Sequence, residues 1–344
     1  MWEILYKRQI YYLASVIFIV LGLVYYIACF ERPYIGFKIN DVNGQWVVTS
    51  YDPHGQGYQS GINVGDHILK INDEDPDIHL AVQKWDLPEG AWTIEFRKAG
   101  ATDVSKIIFH RDSDLLAILS ETPQIILGFV IWFLGLLTWY KRPFLRQARL
   151  LFWMNWLFAL AIVLASASGR CLLLARELEY IIFSAAPILM AAFFSVFPVE
   201  NQKRGNSFSI IFLALMFVVI SIFVILQSIM IVNFAGLIRK MALVNMILGI
   251  LLSTWNLSRV MSLPKGRPER NEAAIIFLGI MIGFVPSILI IALPNLFNYE
   301  IIYYPNISSL FICAVPISLY YVIINKYLPD SRRLYQAVIT NFII

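Results

Sequence analysis

The chain has 344 residues, of which 59% are hydrophobic and 15% are charged. An average soluble domain is about half apolar and about one quarter charged, so this composition excludes both a wholly soluble protein and a disordered one. The net charge of +4 is unevenly divided: residues 31–121 carry 8 Lys and Arg against 15 Asp and Glu, and the remainder carries 19 against 8. The basic residues adjoin apolar runs and form no single patch, which argues against a nucleic-acid partner.

Eight apolar segments approach or exceed the roughly 20 residues that a helix needs to cross the hydrocarbon core of a bilayer. None of them contains a charged residue or a histidine. Because the bilayer core offers no water to the backbone, these segments are predicted to be transmembrane helices. They cover residues 10–30, 123–140, 150–168, 180–197, 207–230, 241–257, 273–293 and 307–324. The predicted fold class is a polytopic α-helical membrane protein of about eight transmembrane helices with an inserted α+β domain.

Lysine and arginine are unevenly distributed between the two sides of the predicted membrane. With a cytoplasmic N-terminus, the inner segments hold 15 of them and the outer loops hold four, Arg170, Arg176, Arg239 and Lys240. The positive-inside rule predicts cytoplasmic N- and C-termini in a bacterial cell membrane, with the acidic region outside. The chain then divides into residues 1–30, the N-terminus and first helix; 31–114, an extracytoplasmic domain; 115–325, a seven-helix region; and 326–344, a cytoplasmic tail.

The extracytoplasmic domain, called the module below, has the patterning of a small folded unit. Segments 45–50, 68–71, 92–96 and 106–110 alternate polar and apolar residues and predict strands, with turns rich in Asp, Asn, Gly and Pro between them. Ile78, Ala81, Val82 and Trp85 give one apolar face at helical spacing. Four to six strands and one or two helices are expected.

Two stretches of the module resemble bacterial PDZ domains. Residues 60–72 read Ser-Gly-Ile-Asn-Val-Gly-Asp-His-Ile-Leu-Lys-Ile-Asn, which is similar to a signature of that family, and residues 34–37 are similar to its carboxylate-binding loop. The resemblance implies that a peptide adds to the edge of the next strand while its carboxylate meets converging N–H groups. The implied groove residues are Tyr34, Ile35, Gly36, Phe37, Ile78, His79, Val82 and Gln83. The other interpretation is a spacer or dimer contact whose groove is never filled.

Patterns that carry catalysis or bind metals are missing from the spans. The four histidines, His54, His67, His79 and His110, all lie in the module, so neither His-Glu-x-x-His nor a Ser/His dyad can form in a span. The lack of intramembrane charge argues against ion-coupled transport. The carboxylates between residues 73 and 77 lack the spacing of a calcium loop. The chain is therefore predicted to be no enzyme and to hold no cofactor or metal.

Uncharged polar residues in the spans have a structural interpretation. Asn155, Gln227 and Asn245 are predicted to hydrogen-bond between helices, as such residues commonly do in membranes. Gly279 and Gly283, four residues apart, are predicted to let another helix approach closely.

The order of one helix, an external PDZ-like module and seven more helices resembles the sensing half of the ComP-type competence sensor histidine kinases. Residues 325–328, Asn-Lys-Tyr-Leu, which leave the last span, add to the likeness. The resemblance implies a quorum sensor for a secreted, isoprenylated peptide pheromone, in a two-component system. The kinase core of that family is absent from this chain, and residues 334–344 are interpreted as the start of a truncated further segment.

An isoprenoid tail would be met by apolar side chains at the outer surface, because burying them removes apolar area from water. The candidate residues are Leu172, Leu173, Phe297, Tyr299, Tyr303 and Tyr304; the other interpretation makes them interfacial anchors. The expected partners are a peptide ligand and membrane lipids, with homodimerisation left open. Two alternative functions remain: a membrane-anchored PDZ scaffold that binds peptide C-termini, and a transporter of an uncharged solute.

Overall fold

The computed structural model describes residues 2–111, 115–199, 205–230, 232–264, 266–297 and 310–325. The chain forms a helical bundle, into which the module is inserted after the first helix. The helices are α1 (Trp2–Cys29), α2 (Gln56–Gln59), α3 (Leu80–Trp85), α4 (Leu115–Lys141), α5 (Arg146–Gly169), α6 (Ala175–Val196), α7 (Gly205–Met230), α8 (Ala235–Met261), α9 (Pro268–Ser287), α10 (Leu293–Leu296) and α11 (Ala314–Ile324). The strands are β1 (Phe37–Val42), β2 (Gln45–Tyr51), β3 (His67–Ile71), β4 (Thr93–Arg97) and β5 (Val104–Ile108).

Within these described ranges, seven helices, α1 and α4 to α9, are long and apolar enough to span a membrane. A polytopic helical membrane protein is therefore the fold class. The eighth segment predicted from the sequence coincides with a shorter apolar helix, Phe311–Ile324, and its first residues lie outside the described ranges. The count of eight spans stays a prediction.

Helix α5 lies at the centre of the bundle and packs against α1, α4 and α6. In the most apolar 18-residue stretch of α5, 56% of the residues are buried. The corresponding stretch of α7, at the periphery, has 17% of its residues buried. Close approach between helices depends on small residues: a Cβ on Gly279 would lie 2.8 Å from Cβ of Ser318, and one on Gly283 2.7 Å from Cγ2 of Val315. The predicted packing role of these two glycines is confirmed for the contact of α9 with α11.

The three polar residues predicted to bond between helices do so. Asn155 donates to the carbonyl of Ile131 on α4 at 3.1 Å, and Asn245 donates to the carbonyl of Ser184 on α6 at 2.9 Å. Gln227 of α7 donates at 2.7 Å to the carbonyl of Lys84 on α3, which is a helix of the module and not a span.

The module is a five-stranded antiparallel sheet in the order β1-β2-β3-β4-β5 with two short helices. Asn43 and Gly44, with φ of 57° and 78°, form the tight hairpin between β1 and β2, whose two-residue loop requires positive φ. One face of the sheet buries an aliphatic core that includes Ile39, Val48 and Ile94, and Val82 of α3 packs into it. Strand β1 is an edge strand, so its outer N–H groups have no partner within the sheet.

Candidate functional site

The loop before β1 has the backbone of an anion-binding turn. Gly36 has φ of +73°, a conformation that glycine adopts without steric cost. A Cβ at Gly36 would also lie only 2.7 Å from Cα of Gly55, so no larger residue fits here. The consecutive N–H groups of Ile35 and Gly36 therefore point to one place, the arrangement that captures carboxylates in backbone nests.

That place is occupied by a carboxylate of the same chain. Glu89 accepts a hydrogen bond from Gly36 N at 2.7 Å through Oε1 and another from Ile35 N at 3.1 Å through Oε2. The Glu89 side chain belongs to the turn after α3, and the residue is only 3% exposed. Burial raises its pKa to about 7, although the two N–H donors and the positive charges of Arg170 and Arg176 act in the opposite direction.

The residues that lead to Glu89 also occupy the edge of β1. Ile39 N donates to the carbonyl of Asp86 at 3.0 Å, which is the kind of bond that an added strand would make. The carbonyl of Glu89 lies 2.9 Å from Nε2 of His79. Residues 86–89 thus provide two contacts expected of a bound peptide, a carbonyl on the strand edge and a carboxylate in the loop.

The bundle closes the site from the other side. Arg170, at the end of α5, is 3% exposed and pairs with Glu121 of α4 through Nη1 and Oε1 at 2.6 Å. Its guanidinium also lies over the ring of Tyr34, 5.0 Å from the centroid. The hydroxyl of Tyr34 donates to Oδ2 of Asp52 at 2.9 Å, and burial raises the pKa of this phenol well above its usual value. The first residue of the predicted loop is therefore bonded to the module and covered by the bundle.

Helix α3 and the residue after it attach the module to the start of α6, to the end of α7 and to Asn233, just before α8. The ring of Trp85 stacks on that of Tyr180 with centroids 5.9 Å apart and lies beneath the guanidinium of Arg176, 5.1 Å from its centroid. Gln227 donates to the carbonyl of Lys84 at 2.7 Å. We call this contact surface the seam and define it by Lys84, Trp85, Asp86 and Glu89 of the module and Arg170, Arg176, Tyr180, Gln227 and Asn233 of the bundle.

Three further polar contacts lie in the seam or at its edge. Asn233 Nδ2 donates to Oδ1 of Asp86 at 2.5 Å, and Nζ of Lys84 lies 3.9 Å from Oε1 of Glu177. The thiol of Cys171 accepts from Nη1 of Arg176 at 3.3 Å, and burial raises its pKa to about 11. The seam joins the module to the bundle through buried charge and aromatic stacking.

The structure brings the predicted groove residues together only in part. Ile35, Phe37 and Val82 belong to the module core and present no side chain to solvent. Ile78 is 63% exposed, and Gln83 donates to the carbonyl of Asp77 at 2.5 Å. Gly36 and His79 contact residue 89 directly. The loop and α3 are therefore neighbours, with Glu89 between them.

The residues predicted to meet an isoprenoid tail differ in exposure. Leu172 is 7% exposed and packs against Cys29, whereas Leu173 is 84% exposed and Phe297 is 66% exposed. The remaining three, Tyr299, Tyr303 and Tyr304, lie outside the described residues.

Among the residues that the structure describes, no group of three or more His, Cys, Asp and Glu side chains could hold a metal ion. No family model, curated protein or solved structure matched this chain in the comparisons. Sequence reasoning missed Glu89, Arg170 and Arg176 as site residues. One signal pointed to the arginines: they are among the four basic residues on the side that the positive-inside rule disfavours, where the acidic module lies.

Proposed function

We propose that this chain is the non-catalytic, signal-sensing membrane region of a two-component sensor histidine kinase. In this proposal the PDZ-like module lies outside the bacterial cell membrane, and both termini are cytoplasmic, as the distribution of Lys and Arg predicts. The signal is an extracellular peptide, isoprenylated as in the ComP-type family that the layout resembles. Its arrival shifts the bundle between two arrangements.

One observation supports sensing more than any other: the carboxylate-holding loop and the bundle arginines share a single buried seam. Arg170 contacts both the loop residue Tyr34 and the span residue Glu121. A ligand that enters the loop therefore changes contacts of α4 and of the end of α5. A spacer would need no such coupling between its groove and the spans.

The apolar end of the ligand has candidate contacts at the outer surface. Leu173 and Phe297 present exposed apolar side chains on turns that follow α5 and α10. An isoprenoid placed on them gains about 25 cal/mol for each Å² of apolar area that leaves water.

The proposal is tested with the full chain in nanodiscs and a synthetic isoprenylated hexapeptide with a free C-terminus. We expect this probe to bind at least tenfold tighter than its unprenylated twin, after subtraction of binding to empty nanodiscs. Leu173→Ala, Phe297→Ala and the pair Tyr303→Ala and Tyr304→Ala should each weaken binding. Phe144→Ala, which removes a 77% exposed ring from the turn between α4 and α5, is the matched control. Equal binding of the two peptides contradicts the sensing proposal.

The main alternative is a membrane-anchored scaffold that binds peptide C-termini continuously. Occupation of the loop by Glu89 favours sensing over this alternative, because a scaffold needs an open groove. The same assay separates them: a scaffold binds free-acid peptides tightly in the unmodified chain, with or without an isoprenoid group.

A further inference from the structure

We propose that Glu89 is an exchangeable internal ligand of a carboxylate site that the module and the bundle share, and that the terminal carboxylate of an extracytoplasmic peptide displaces it. The shared site consists of the N–H groups of Ile35 and Gly36 together with the positive charges of Arg170 and Arg176. This inference rests on the proposed function in one respect, that the groove admits a peptide. Comparison of free-acid with amidated peptides separates exchange of Glu89 from sensing of an isoprenylated ligand.

The chemistry of exchange is symmetrical. A peptide C-terminus and the side chain of Glu89 present the same group, a carboxylate with two acceptor oxygens, to the same two N–H donors. The same replacement is possible at the strand edge. There Ile39 N donates to the carbonyl of Asp86, and a peptide carbonyl can accept this bond instead. An incoming peptide therefore supplies new acceptors to Ile35 N, Gly36 N and Ile39 N, the three backbone donors that residues 86–89 release.

The two arginines distinguish this site from one formed by the module alone. Their charges act on Glu89 from the bundle side and offset part of the cost of burying an anion in the loop. Arg170 is held by Glu121 and Tyr34, so it remains in place when Glu89 leaves. A neutral C-terminal amide gains nothing from these charges and presents an N–H group to the N–H donors.

Exchange also loosens the seam. Asp86 and Glu89 lie on one turn directly after Trp85, and Asp86 bonds to Asn233 of the bundle. Moving this turn off β1 pulls on the stacking of Trp85 with Tyr180. The rival interpretation is that Glu89 is a fixed brace of the loop, in which case its removal weakens the module without creating affinity for carboxylates.

The experiment uses the full chain in nanodiscs and two probes, a library of fluorescein-labelled hexapeptides with free C-termini and the same library amidated. Glu89→Ala should raise affinity for the free-acid library at least tenfold and leave the amidated library unchanged. Glu74→Ala, which removes an exposed carboxylate from the turn after β3, should change neither. Arg176→Gln in the Glu89→Ala background should reverse at least half of the gain.

A second measurement reports the seam directly. Glu89→Ala should raise several-fold the rate at which a membrane-impermeant maleimide labels Cys171, mapped by mass spectrometry. Cys29 is 1% exposed, so it should stay unlabelled unless the whole fold is lost. An unchanged labelling rate, or equal gains for the acid and amidated libraries, overturns the inference. A gain specific to free acids supports it even where isoprenylation adds nothing, a result that would contradict the proposed function alone.

Discussion

The exposed surface of the module and the seam both carry ion pairs, but only those at the seam are buried. On strand β5, Lys106 bonds to Asp73 and lies 3.5 Å from Glu95, with its side chain 42% exposed. At the seam, Lys84 of the module lies 3.9 Å from Glu177 of the bundle, and both side chains are 13% exposed. Arg170, which contacts Tyr34 of the module, pairs with Glu121 inside the bundle at 2.6 Å, and their side chains are 3% and 14% exposed. Exposed pairs are screened by water and contribute little, whereas removing one partner of a buried pair leaves a charge that nothing compensates. The number of ion pairs therefore says less about the docking of the module than their burial does.

The largest effect is expected from Arg170→Met, which keeps part of the apolar stem of the side chain and removes its charge. Glu89 of the module then stays buried without this counter-charge, and Glu121 loses its partner within the bundle, at a cost of about 3–5 kcal/mol to the docked structure. The protection of Cys171 against maleimide should fall more than a hundredfold. Arg111→Met, which breaks an exposed pair with Glu31 at 3.2 Å, is the control and should leave protection unchanged. Equal loss of Cys171 protection in Arg170→Met and Arg111→Met would mean that burial of an ion pair does not decide its contribution to docking.

The next largest effect concerns pH. Because burial raises the pKa of Glu89 to about 7, the docked state holds this proton more tightly than an open state, whose carboxyl titrates near 4.5. Docking is therefore strongest below about pH 4.5 and weakens by up to about 3 kcal/mol as the pH rises to 7. The ¹⁹F signal of 5-fluorotryptophan at Trp85, measured as a function of pH, should follow this opening. Persistence of the full pH response in Glu89→Ala would assign it to another group.

A smaller effect is expected from Trp85→Leu. This change removes the stacking on Tyr180 and the contact with Arg176, and we expect docking to weaken by about 2 kcal/mol, or roughly thirtyfold in the protection of Cys171. Trp92→Leu is the control, because Trp92 is 42% exposed. Similar losses for both changes would mean that the stacking at the seam contributes nothing specific.

The smallest effect is expected from Lys106→Ala on strand β5. Its pair with Asp73 is exposed, so the protection of Cys171 should change less than twofold. A larger change would mean that the outer pairs also control docking.

The spans and the strands of the module could be predicted because their signals are local. Charge-free apolar runs gave helices α1 and α4 to α9, and alternation gave strands β2 to β5. Gly36 was likewise expected in a loop whose N–H groups converge, and its φ of +73° fits such a loop. Each of these features is decided by residues within one turn or one strand.

Occupation of the loop by Glu89 could not be predicted. Glu89 lies 53 residues beyond Gly36 in the chain, and its local sequence indicates only a turn. Gln227 shows the same limit: its position in a span predicted a partner in another helix, but not that this helix would be α3 of the module, whose Lys84 carbonyl it contacts. Such contacts follow from how two folded units dock. The acidity of the module and the arginines on its side of the membrane indicated attraction, without specifying the pairs.

Coupling between the loop and the spans depends on docking of the turn after α3 against the bundle. Cross-linking tests this docking most directly. Asp86 and Asn233 are hydrogen-bonded across the seam, so cysteines at these positions, in a chain whose native cysteines are replaced by serine, should be joined by a short bismaleimide in intact membranes. Cysteines at Glu74 and Asn233 form the control pair. We expect efficient joining of 86 to 233 only, and less of it after Glu89→Ala. Failure to join this pair, or equal joining of the control pair, would contradict the docked module.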